Sequence, residues 1–184
     1  MNRPPKLRAD DAADAASTPA STAPGAAAAS ERQRVAESIK QDVRTAFAGV
    51  RLGDGIGLFE AQGIDDYASA ETCAAYRARD EKAHWEAIPV ADLNRCYSSL
   101  SFFDAEGMRF HLPAYLVADL DGGYLQDLYF NLAMTTEMER QFAALDAAQR
   151  AAVRRYLAFV ADDPVHRVFG REHILRALDG YWAR

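Results

Sequence analysis

Two short segments hold most of the side chains that could do chemistry. The first is Arg79-Asp80-Glu81 with Trp85; the second is Arg109 and His111 with Tyr115. Carboxylates flanked by arginines can hold a polar ligand, or divide general-acid and general-base roles between them. A small hydrolase or transferase acting on a polar substrate is the chemistry this would serve. The same residues have a structural alternative, in which Arg109 meets Asp80 or Glu81 and the ion pairs fix one segment against the other.

Other chemistries find less support. The four histidines, His84, His111, His166 and His173, form no His-Glu-x-x-His or His-x-His pattern, so no metal site is expected. Asp119 and Asp121 beside Gly122 suggest a calcium loop, but Tyr124 stands where that loop requires glycine. Ser98, Ser99 and Ser101 lack a Gly-x-Ser-x-Gly elbow. Cys73 and Cys96 are the only cysteines and have no Cys-x-x-Cys spacing, so two free thiols are expected. Cys96 could meet His111 as nucleophile and base, although a small buried hydrophobe is its commoner role. Glycines 53, 55 and 57 invite a phosphate-loop reading, yet the spacing is wrong and Asp54 would repel phosphate. A tight connection between helices, using positive φ angles, fits them better. No cofactor is implied.

These residues must be positioned by elements readable from pattern. Residues 1–30 are rich in Ala, Ser, Thr, Pro and Asp and lack large apolar side chains, so a disordered tail is expected. Ala26 to Ala29 can extend the first helix. Ser30 with Gln33 resembles a capping box, and Val35, Ile39, Val43 and Phe47 repeat along one face. That helix should run to about Ala48 and close at Gly49. Ser69 should cap a helix through Trp85, and Asp146 with Gln149 should open another that ends at Asp162-Asp163-Pro164. Tyr124 to Met134 leans to helix. A last helix starts at Arg171, with Ile174, Leu175, Leu178 and Trp182 as its stripe.

Between them, Met108, Phe110 and Leu112 alternate with Arg109 and His111 after Asp104-Ala-Glu-Gly107. That is strand periodicity behind a turn. Pro113 would end the strand and open a helix. The expected fold class is therefore α+β: one helix-rich domain over residues 31–184, with a small antiparallel β-hairpin near residues 97–112.

Charge narrows the partners. The net charge is −6, and residues 52–136 hold fourteen acids against five bases. Nucleic-acid binders need a basic stripe, so that class is disfavoured. A basic protein partner suits such a surface. Asp10, Asp11 and Asp14 interrupt the place of a secretory apolar core, and no run of eighteen apolar residues follows. Export and membrane insertion are not expected; the cytoplasm is.

The run Leu52-Gly-Asp-Gly-Ile-Gly-Leu-Phe-Glu-Ala61, then Ile64-Asp65 and Tyr67, then Arg79-Asp80-Glu81 and Trp85, then Phe102 to Leu116, then Phe142 to Val153, resembles a bacterial family of domains of unknown function. The resemblance spans most of residues 35–182 and transfers no activity. In the family pattern an aromatic stands near the position of His111, which implies that His111 is a poor candidate for an essential acid or base. With charge concentrated and no catalytic motif, the first expectation is a protein-interaction module. An immunity or antitoxin-like inhibitor of a basic partner is one form it could take.

Overall fold

The computed structural model describes residues 23–163 and 170–184. Most of the tail expected over residues 1–30, and His166, lie outside the described residues. Nine helices are seen among the described residues: α1 (Ala23–Ala46), α2 (Leu58–Asp65), α3 (Ala70–Arg79), α4 (Val90–Arg95), α5 (Ala105–Leu120), α6 (Tyr129–Ala133), α7 (Met138–Gln141), α8 (Ala147–Ala161) and α9 (Arg171–Asp179). Single 3-10 turns occupy Trp85–Ala87, Ser99–Ser101 and Tyr181–Ala183.

There is no β-strand among the described residues, so the fold is all-α and the α+β expectation is corrected. The segment read as a hairpin, residues 97–112, is a 3-10 turn followed by the first half of α5. Asp104 does use its side chain on nearby backbone, but as a helix N-cap: its carboxylate accepts the Gly107 amide at 2.8 Å. The alternation of Met108, Phe110 and Leu112 misled because α5 is buried almost all round. His111, Pro113, Ala114, Tyr115 and Leu116 are buried too, and a helix without a solvent face shows no 3.6-residue period. Pro113 lies inside this helix, where its nitrogen cannot donate to the Arg109 carbonyl.

The other helices form around α5 for reasons visible in their sequences. Ile39 and Val43 on α1 and Phe47 just after its end are fully buried, each contributing about 1.5–3 kcal/mol on transfer from water. α1 begins ahead of Ser30 and packs on α5 and α8. Asp146 and Gln149 make the expected capping box of α8, and Val153, Tyr156, Leu157 and Val160 face inward. Arg155 clasps α8 to α1 through Asp42 and Ser38, and Arg32 pairs with Asp163 at 2.6 Å while stacking on Phe159. Trp182 closes the C-terminal end, its indole N–H donating to the Leu132 carbonyl at 2.8 Å.

Ser69 caps α3 as expected, but that helix stops at Arg79 rather than running to Trp85. Asp80 is extended, and the chain turns away so that Asp80 can reach α2.

Candidate functional site

The glycine loop before α2 sets the geometry. Gly57 precedes α2 and has no side chain to satisfy the amides of its first turn. Asp80 supplies the missing acceptors from a distant part of the chain: Oδ1 accepts from Phe59 N at 2.7 Å and Oδ2 from Glu60 N at 3.3 Å. The Gly57 amide in turn donates to Glu60 Oε2 at 3.0 Å. A Cβ on Gly57 would overlap the Asp80 carboxylate.

Close approach also explains the other two glycines on the α5 side. A Cβ on Gly55 would overlap Glu106 and Gly107, and one on Gly107 would overlap the Ile56 carbonyl. The Asp104 carboxylate meanwhile accepts the Ile56 amide at 3.0 Å, so one side chain both caps α5 and pins the loop. Arg77 ties down the far side through the carbonyls of Gly53 and Gly55 and the Glu60 carboxylate. Only Gly53 in this loop has a positive φ, 56°; Gly55 and Gly57 serve proximity instead.

Arg79, Asp80, Glu81 and His111 line one cavity of about 250 Å3, together with Leu58, Phe59, Ile88 and Asp92. Asp80 is only 7% exposed, and burial pushes its carboxyl above the ordinary range, against the opposing pull of the Phe59 and Glu60 amides. Glu81 is held below its ordinary value by the amides of Ala83, His84 and Lys82, all donating to its Oε1. His111 is 1% exposed. Its ring stacks on Phe103, centroids 4.4 Å apart, and meets Phe110 edge-on. Nδ1 lies 2.7 Å from the Gly107 carbonyl, an acceptor only, so Nδ1 carries the hydrogen and Nε2 presents a lone pair. Nε2 is buried and makes no protein hydrogen bond. Burial pushes the imidazole down to about 4, keeping it neutral at ordinary pH.

The remaining residues singled out from sequence go elsewhere. Arg109 donates from Nε to Gln149 Oε1 at 3.2 Å, on the α8 side. Residues two apart on a helix point about 200° from each other, so Arg109 and His111 cannot share the face that a strand would have given them. Trp85 is buried and donates to the Phe47 carbonyl at 3.1 Å. Tyr115 is buried against Tyr124, its hydroxyl without a protein partner. No bond joins Cys96 to His111, and burial raises the Cys96 thiol.

No serine, threonine, cysteine or lysine lines this cavity; its charged lining is Arg79 with Asp80, Glu81 and Asp92, and Asp92 is paired with Arg95 at 2.8 Å. Among the described residues no three His, Cys, Asp or Glu side chains come together as a metal site. No helix among them is long and apolar enough to cross a membrane.

A second feature lies beyond the segments read as chemical. α2 ends in a Schellman motif: Ala68 N–H donates to the Gly63 carbonyl at 2.9 Å and Tyr67 N–H to that of Ile64 at 3.1 Å. The left-handed residue of such a motif is usually glycine. Here it is Tyr67, with φ 55° and 96% of its surface exposed.

Residues 35–184 match a family of unknown function, DUF6714, and the chain belongs to that family. No curated protein and no solved structure matches it.

Proposed function

We propose that this protein is an interaction module that binds a basic protein, with the end of α2 at the centre of the contact. The observation that carries the reading is Tyr67. A non-glycine residue in the left-handed region costs about 1–2 kcal/mol, and an exposed side chain recovers none of it by packing. Such a cost points to use of the side chain, and tyrosine is among the residues that dominate binding energy at interfaces.

The surroundings fit a cationic partner. Asp65, Asp66 and Glu71 flank Tyr67 in sequence. Hydrogen bonds from Ser98 to Gln62 at 3.1 Å and from Gln62 to Asp66 at 3.1 Å tie the loop bearing Tyr97 to the same helix. Tyr97 is 60% exposed. Two exposed tyrosines with a carboxylate rim suit a basic surface, which the acid charge would also steer toward encounter. Immunity or antitoxin-like inhibition of a basic protein is one activity of this form.

Charge reversal tests it. Asp65→Lys combined with Glu71→Lys should weaken capture of a basic partner about tenfold or more and flatten its salt dependence. A partner held equally by the reversed protein would contradict the reading.

A further inference from the structure

Two concavities meet along the outward face of α8. One, of about 670 Å3, reaches from Ala147 and Ala151 to Arg155 and Ala158. The other, of about 510 Å3, shares Arg155 and Ala158 and continues to Phe159 and to Val35 on α1. We propose that the groove they form docks an acidic amphipathic helix of a partner protein, with its apolar side chains over Val35 and Phe159 and its carboxylates over Arg150 and Arg154. This surface shares no residue with the α2 contact, goes beyond that reading and does not rest on it.

Charge is the principal observation. The chain carries a net charge of −6, yet the larger concavity is lined by Arg150, Arg154, Arg155 and Arg184 against the single carboxylate of Asp179. Among the described residues, neither Arg150 nor Arg154 makes an ion pair. Arg150 donates to the Tyr181 hydroxyl and carbonyl at 3.2 and 2.9 Å, and Arg154 donates to the Trp182 carbonyl at 2.9 Å. These bonds hold both guanidiniums in place and leave each with N–H groups to spare. Arg155 and Arg184 are paired with Asp42 and Glu139, exposed pairs of the kind that contribute little and exchange readily. The fixed, uncompensated charge is therefore that of Arg150 and Arg154, and carboxylates from a partner complete it.

Shape sets the kind of partner. Ala147, Ala151 and Ala158 are exposed on α8, so no large side chain there keeps a second helix at a distance. From Ala147 to Ala158 the face is about 16 Å long at the helical rise, room for about three turns of a docked helix. Val35 and Phe159 are half-buried and form the apolar end of the groove. Glu31 and Asp162 line that end, which places the partner's acidic residues at the other, beside Arg150 and Arg154. A nucleic acid would bring phosphates to both ends and meet those two carboxylates.

The test titrates a peptide of about sixteen residues, long enough to form helix, into the full chain while backbone amides are followed by NMR. The peptide is alanine-based, acetylated and amidated, with leucines in one half and glutamates in the other. A second peptide has lysines in place of the glutamates, and a third has serines in place of the leucines. The expected result is a saturable shift of the Ala151, Arg154 and Ala158 amides with the acidic peptide, none with the lysine peptide, and about tenfold weaker binding of the serine peptide. Ala151→Glu puts a carboxylate one turn before Arg154 and Arg155 at an exposed helical position, so the fold is kept; it should weaken the acidic peptide about tenfold or more. Equal binding of the lysine peptide, unmoved α8 amides at saturation, or undiminished binding by Ala151→Glu would overturn the proposal. Tighter binding of a short DNA duplex at the same amides would overturn it in favour of nucleic acid. A dimer of the protein alone that Ala151→Glu dissociates would overturn it in favour of a second copy. Tyr67→Gly should leave the titration unchanged, which keeps this result distinct from the α2 contact.

Discussion

The carboxylate of Asp80 occupies the space that a side chain at Gly57 would need, and performs the capping that such a side chain would perform. Two positions far apart in sequence thus share one N-cap, and each constrains the other.

That relationship predicts a strong non-additivity. Asp80→Ala should cost about 2–3 kcal/mol, the worth of a cap plus a buried amide left unpaired. Gly57→Ser should also destabilise, because its Cβ meets Asp80. Together they should lose less than the sum by 1 kcal/mol or more, since the serine can cap α2 once Asp80 is gone. Urea unfolding of the four proteins measures it, and simple additivity would refute the shared cap.

The buried imidazole predicts acid sensitivity. The unfolded chain takes up the His111 proton near 6.5, whereas the folded chain does so near 4. Between those values the unfolded state binds more protons, so stability falls as pH drops from about 6.5 to about 4, by roughly 3 kcal/mol from this group. Asp80, shifted upward, acts in the opposite sense and gives back part of it as pH falls through its folded value. Across pH 7–4 the unfolding free energy of wild type should fall relative to that of His111→Phe, which lacks this titrating group. Parallel curves would show that His111 does not titrate as described.

Tyr115 predicts a substitution with no penalty. Its hydroxyl is buried and makes no protein hydrogen bond, while its ring meets Tyr124 edge-on at 5.1 Å. Tyr115→Phe keeps the ring contact and removes a desolvated polar group, so stability should be unchanged or rise by about 1 kcal/mol. A loss above 1 kcal/mol in thermal or urea unfolding would mean the hydroxyl has a partner.

Much of the fold was legible where helices have a solvent face. The α1 stripe, the α8 capping box, the Ser69 cap and the start of α9 follow from local pattern. The failure was α5, whose burial on all sides erases periodicity, and whose Asp104 and Gly107 use turn-like chemistry in a helix. Reading a strand there put Arg109 beside His111, and helical geometry separates them. The nearness of Arg79, Asp80 and Glu81 to His111 came from distant segments that sequence offered only as candidates. Asp92 was not singled out, because nothing local marks a carboxylate that faces a cavity. Glycines 55 and 57 were assigned to positive φ; they permit close approach, which depends on what lies opposite and not on the loop itself.

Tyr67 offers the most direct test of the account, because one substitution separates stability from binding. Tyr67→Gly removes an exposed ring and relieves the left-handed strain, so the protein should gain about 0.5–1 kcal/mol after the entropy of the added glycine is counted. The decisive measurement is quantitative capture from the cells of origin, at low and moderate salt, with wild-type and Tyr67→Gly protein side by side. One stoichiometric basic partner is expected, weakened by salt and lost with the more stable Tyr67→Gly protein. Recovery of no such partner, or its equal retention by Tyr67→Gly, would contradict it.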